Sequence, residues 1–212
     1  MSGVAVLMPS LERPDNLARV LDNLDDTRGD IPYTVYCMLD AGDVKSRDVC
    51  ERRGVLYHTD DRGWFARRTD ELFGLTSEPW VFTGTDDIVF PDVWCDRMFE
   101  AKQPGWKVIA PNDGHNPNGT NFLVNREYVE TYGGHWNTPG HIFHPAYMHN
   151  FTDNEIIEVA VVRGVFGRTM DVLVESTHPV WGNAEDDDTY RRARLRYDYD
   201  AELFGRRCHL WR

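Results

Sequence analysis

Within the first 110 residues, short uncharged apolar runs alternate with segments of helical period, and this alternation limits the fold more than any other feature. Gly3–Met8 (GVAVLM) carries no charge and reads as a strand buried on both faces. Pro9-Ser10 breaks it, and Pro14 opens a helix with Leu17, Val20, Leu21 and Leu24 on one side. A second strand is predicted over Tyr33–Leu39, then a helix over Val44–Arg53 closed by Gly54. Val55–His58 reads as a third strand and Trp64–Leu75 as the next helix. The fourth strand lies in the run from Trp80, followed by a helix over Val93–Ala101 and a strand over Trp106–Ala110. Strands and helices that alternate with short connections predict an α/β domain with a mostly parallel central sheet flanked by helices.

The rhythm changes after Pro111. Asn112–Thr120 is a loop of Asn, Gly, Pro and Asp. A strand (Asn121–Val124), a helix (Arg126–Tyr132) stopped by Gly133-Gly134, and a loop dense in His, Pro and aromatics (His135–Asn150) follow. Then come a helix over Asp153–Arg163, a strand over Asp171–Glu175 and a helix over Asp187–Arg196. The 212 residues suit one domain, with the halves 1–110 and 111–212 divided in function rather than in fold. A net charge of −12 argues against wholesale binding of nucleic acid or anionic membranes. No apolar run approaches a membrane span, no signal-peptide pattern opens the chain, and the four cysteines form no CxxC pair. A cytoplasmic protein with reduced thiols is expected.

Candidate chemistry gathers at the ends of the predicted strands, the edge where open α/β sheets bind ligands. The fourth strand ends in Thr85-Asp86-Asp87. Adjacent carboxylates repel and are costly to desolvate, and a divalent cation removes that cost. The same residues also fit a solvated turn. Asp40 ends the second strand and suits hydrogen bonds from a base or ribose. Arg13 and Arg68 offer forked donors to phosphate, although Arg68 can equally pair with Asp70 or Glu71 on its helix. Asp153 at a helix start fits a general base or an ordinary cap. His135, His141, His144 and His149 match no compact zinc spacing, and their loop, with Trp136, Phe143 and Tyr147, is expected to face an acceptor. The arginine- and aromatic-rich tail from Tyr190 reads as a docking helix neutralised by its own acids, or as a grip on phosphate.

These pieces occur in an order that resembles the GT-A-fold glycosyltransferases, most nearly the family 2 type. Pro9-Ser10-Leu11-Glu12-Arg13-Pro14 resembles the family's first turn, and Asp40 its base-reading aspartate. Gly63-Trp64-Phe65-Ala66-Arg67-Arg68-Thr69 resembles its Gly-x-x-Ala-x-Arg-Asn pattern, with Thr69 for the asparagine. Thr85-Asp86-Asp87 is similar to its acidic metal motif, with Gly84 where the first aspartate usually stands. Phe122–Arg126 with Gly133-Gly134 is similar to its next segment. Thr152-Asp153-Asn154-Glu155 resembles Glu-Asp-x-Glu with the first glutamate replaced, and His178-Pro179 the late metal histidine. The resemblance spans roughly residues 3 to 190.

The resemblance implies a transferase that moves a sugar from a nucleotide-sugar donor (UDP-, GDP- or dTDP-linked) to an acceptor hydroxyl, inverting, with Mn²⁺ or Mg²⁺. Asp153 would be the base. Pro9, Ser10, Arg13, Asp40, Arg68, Thr85 and Asp86 would bind the donor, and Asp86, Asp87 and His178 the metal. Gly134, Trp136 and Glu155 would lie on the acceptor side. Small standalone transferases of this look also occur in phage genomes, so a glycan, a protein, a small molecule or a modified DNA base are all acceptors it allows. A nucleotidyltransferase is the other enzyme class considered, but its expected glycine-rich first loop is missing from Pro9–Glu12. A non-catalytic nucleotide- or sugar-binding protein is the remaining alternative.

Overall fold

The computed structural model of the chain describes residues 3–61, 63–116 and 119–212. Of the loop predicted over Asn112–Thr120, residues 117 and 118 therefore lie outside the described residues. The strands are β1 (Val4–Pro9), β2 (Tyr33–Asp40), β3 (Leu56–Asp60), β4 (Trp80–Thr83), β5 (Ile88–Val89), β6 (Val108–Asn112), β7 (Leu123–Asn125), β8 (Phe166–Leu173) and β9 (Glu175–Ser176). The helices are α1 (Pro14–Asp26), α2 (Val44–Arg53), α3 (Phe65–Leu75), α4 (Trp94–Ala101), α5 (Arg126–Tyr132), α6 (Thr152–Val162), α7 (Asp188–Arg194) and α8 (Tyr197–Arg207).

Seven strands form one sheet in the order β3-β2-β1-β4-β7-β6-β8. All its pairings are parallel except those of β7, which runs antiparallel between β4 and β6. The uncharged run of β1 explains its central place. Val4, Val6 and Met8 pack on α1, α2 and α4, while Ala5 and Leu7 pack on the face covered by α3, α5, α6 and α8. A strand apolar on both sides has no other stable home. The β4–β7 pairing carries the sheet from the first half of the chain into the second.

Three elements depart from the sequence-based expectation. The strand predicted over Asp171–Glu175 is instead β8, which begins at Phe166. It is an edge strand, and its charged, partly exposed residues hide its strand character. Gly167 is required there, because a Cβ would sit 1.9 Å from the Trp106 ring. A small antiparallel sheet, β5 with β9, was not anticipated, since two-residue strands leave no periodic signal. The last predicted helix, Asp187–Arg196, is the shorter α7, and a separate α8 follows it.

Candidate functional site

Because β1, β2, β3 and β4 are parallel, their carboxyl ends fall on one edge of the sheet. A pocket opens there, walled by the β1 end (Pro9, Ser10), the first turn (Arg13), α3 (Arg68), the β4 end (Thr85, Asp86, Asp87) and His178. The space within its walls is about 120 Å³, and about 750 Å³ when the open solvent at its mouth is included. Asp40 does not line it and reaches it through Arg68. Gly84, at the position of the family's first aspartate, donates its N–H to Leu7 O at 2.8 Å, and a Cβ there would lie 3.1 Å from that oxygen. Close approach of β4 to β1 thus favours the glycine.

Arg13 is buried and stands among three carboxylates. Its Nη1 is 2.6 Å from Asp86 Oδ1 and 3.6 Å from Asp87 Oδ2, and its Nε is 2.7 Å from Asp187 Oδ2. The guanidinium also lies over the Tyr190 ring at 4.3 Å. Ser10 Oγ donates to Asp86 Oδ2 at 2.6 Å, so both oxygens of Asp86 are engaged within the chain. The carboxylate expected to hold a metal thus also balances and orients Arg13. Burial pushes the Asp86 carboxyl up to about 6, against the pull of Arg13. Asp87 accepts from Tyr190 Oη at 2.8 Å.

A second buried cation lies deeper. Arg68 is 2% exposed and bridges Asp40 and Asp60, with its Nη1 donating to Ser10 O at 3.2 Å. It does not pair along its helix surface; Arg67 takes Glu71 instead. Gly63 permits this packing, since a Cβ would fall 2.4 Å from Asp60 Oδ2.

Asp153 sits in the first turn of α6, two residues after Phe151, whose φ of 63° is left-handed and strained for a bulky residue. Burial pushes its carboxyl up to about 6, helped by the charge of nearby Asp113 and opposed by backbone N–H groups. Asp113 begins the turn after β6, with Oδ1 accepting from His115 N and Asn116 N, and its buried Oδ2 has no hydrogen-bond partner.

Glu155, Gly134 and Trp136 are the residues expected on the acceptor side. Glu155 is 0% exposed, and its oxygens accept from Arg207 on α8, from Tyr147 Oη and from Trp136 N. Gly134 is buried where a Cβ would lie 2.2 Å from Ile142 O. Trp136 lies against Arg163, whose guanidinium is 5.3 Å from its ring. Neither these three nor Asp153 line the pocket. Of the four loop histidines, His149 lines it, while His135 is buried with its pKa pushed down to about 4 by desolvation. Its Nδ1 accepts from His144 N and its Nε2 bonds Thr152 O. Asp60, Asp187 and Asp113 carry no site reading in the sequence, while Tyr190 and His149 fall in stretches it does single out, the arginine-rich tail and the histidine loop.

Among the described residues, no group of three or more His, Cys, Asp or Glu side chains is gathered to hold a metal. Asp87 and His178 nevertheless fit a cation completed by ligand oxygens, being a hard carboxylate and an imidazole on one pocket wall. Arg13 faces Asp86, Asp87 and Asp187, so its own charge is balanced within the chain, and Arg68 and Arg192 also line the pocket. His178 Nδ1 accepts from Val180 N at 3.1 Å, which fixes the ring's orientation beside Tyr190.

No protein-family model and no curated protein matches the chain. Solved structures do. Glucosyl-3-phosphoglycerate synthase from Mycobacterium tuberculosis, with Mn²⁺, UDP and glucosyl-3-phosphoglycerate, superposes with a TM-score of 0.68 at 9% identity, covering 97% of this chain and 80% of that one. A mannosyltransferase from Pyrobaculum calidifontis, with GDP-mannose and Mn²⁺, gives 0.64 at 12% identity, covering 92% of this chain and 61% of the other. The chain has the GT-A glycosyltransferase fold.

Proposed function

We propose, from the GT-A fold and the pocket at its sheet edge, that this chain is a nucleotide-sugar-dependent glycosyltransferase that works by single displacement with inversion. The observation that carries the proposal is the pocket itself, where Arg13, Arg68 and Arg192 meet the carboxylates of Asp86 and Asp87 beside His178. In this reading residues 1–110 hold the donor and 111–212 the acceptor. Pro9, Ser10, Arg13 and Thr85 border the diphosphate, Arg68 holds Asp40 and Asp60 toward the base and ribose, and Asp86 keeps Arg13 in place. Asp87 and His178 would hold Mn²⁺ or Mg²⁺, which when bound neutralises charge on the departing diphosphate. The acceptor oxygen attacks the anomeric carbon as the bond to the β-phosphate oxygen breaks. The hydroxyl proton passes to Asp153, and the diphosphate leaves with the bonding electrons. The two similar enzymes were solved with UDP or GDP-mannose and Mn²⁺, which supports this donor class.

The test is thermal denaturation with UDP-, GDP- and dTDP-sugars, with and without Mn²⁺, alongside donor hydrolysis. One nucleotide class at 100 times its Kd should raise Tm by about 5–10 °C, and only with Mn²⁺. Asp87→Asn should abolish the metal dependence. It is a cleaner probe than Asp86→Ala, which would strand Arg13 buried and unpaired on that side. No shift with any donor sinks the proposal, and a shift without hydrolysis or transfer favours a binding protein.

A further inference from the structure

A 3-10 turn at Pro179–Trp181 follows His178 and carries Trp181 outward, 44% exposed. One face of its indole is stacked on the His115 imidazole, with ring centroids 5.0 Å apart and planes 11° from parallel. Asn183 fixes the stack: its Nδ2 lies 3.3 Å from His115 Nε2 and donates to Ser176 O at 3.2 Å, while its Oδ1 accepts from His178 N at 2.8 Å. The strand beneath is tied at both sides. Ser176 N donates to Asp113 O at 3.1 Å and Thr177 N to Asp87 O at 2.7 Å. The stack is therefore held by the segment that joins the Asp87 side of the pocket to Asp113, whose charge acts on Asp153. An acceptor hydroxyl must arrive between those two carboxylates if the transferase reading is right.

We infer that the acceptor is a neutral saccharide ring that lays its C–H face on the indole of Trp181; this rests on the transferase reading of the same site. An aromatic ring held in a fixed orientation but left open to water offers apolar surface without ordering cost. The charges nearby select against the other acceptors. The adjacent His178 feels the carboxylates of Asp87 and Asp186, and on α7 Arg191 and Arg194 are paired with Asp188 and Asp186 at 2.6 and 2.7 Å. Phosphorylated small molecules and nucleic acid would meet carboxylates there, whereas a neutral ring would not.

The experiment measures nucleoside diphosphate release by the full chain with its donor and Mn²⁺. The probes are methyl glucoside, methyl mannoside and methyl galactoside, with 3-phosphoglycerate and a twelve-nucleotide single-stranded DNA as anionic counterparts. At least one methyl pyranoside should accelerate release. Trp181→Ala should raise its KM by about tenfold with kcat within about twofold, as expected for lost ground-state binding. Trp181→Phe, which keeps a ring, should recover most of the loss, and matched melting curves would exclude unfolding. No acceleration by any pyranoside, an unchanged KM in Trp181→Ala, or acceleration by an anionic probe alone overturns the inference. Wild-type hydrolysis of the donor without acceptor stands apart as the readout of the transferase reading, so the two can fail separately.

Discussion

Asp153 is where opposing local forces are most finely set. The amino end of α6 favours its ionised form through backbone N–H groups, while burial and the charge of Asp113 favour the neutral one, and the second pair wins: the pKa rises from 3.8 to about 6. A base must be ionised, so transfer should fall about tenfold per pH unit below about 6 and level off above it. Stability runs the opposite way. A folded-state pKa above the unfolded value gives a contribution that is complete below pH 3.8 and is lost as pH rises through about 6. The kcat/KM profile checks the first statement. Asp113→Asn should move its inflection to lower pH, and Asp153→Asn should cost about 10²–10⁴ in kcat. A profile with no inflection near 6 would remove Asp153 from the role of base.

At the scale of elements, α8 acts as a clamp on the loop that carries His149. Asp200, 0% exposed, accepts from the N–H groups of Met148, His149 and Asn150, and Arg207 from the same helix pairs with buried Glu155. Asp200→Ala would leave three backbone donors without their acceptor. At about 1–3 kcal/mol for each group left unsatisfied, a loss of at least about 3 kcal/mol in urea unfolding is expected, with faster hydrogen exchange at those three amides. None of this was legible in the sequence, because an acid on one helix and the loop it holds are 50 residues apart with no periodic link. The strand-end residues were legible for the opposite reason. Asp40, Asp86 and Asp87 follow apolar runs whose direction the alternation dictates, so a parallel sheet must bring them to one edge. Asp60 ends such a strand too, but β3 is an exposed edge strand and its apolar run is weak. Tyr190 and Asp187 reach the site only because α7 folds back over Arg13, a contact of more than 170 residues in sequence separation.

For the whole molecule, the charge of −12 is distributed so that the basic tail offers little to a polyanion. Arg191, Arg194, Arg206, Arg207 and Arg212 pair with Asp188, Asp186, Glu202, Glu155 and Glu158. The docking-helix reading of that tail accounts for these five contacts, and the phosphate-gripping one keeps Arg192, which lines the pocket. The consequence is a salt dependence of definite sign. An anionic donor approaches a molecule that repels it at long range, and the screening length falls from about 30 Å at 0.01 M to about 10 Å at 0.1 M salt. With Mn²⁺ saturating, kcat/KM for the donor should rise by a factor of about two to five between 10 and 150 mM NaCl. Proteins that recognise nucleic acid through arginine lose affinity over such a range, by roughly one power of salt concentration for each phosphate engaged. Rates measured with a neutral pyranoside should therefore rise or stay level as salt is added. A steep fall, for either substrate, would mean that the arginine pairs of the tail open in solution to hold an anion.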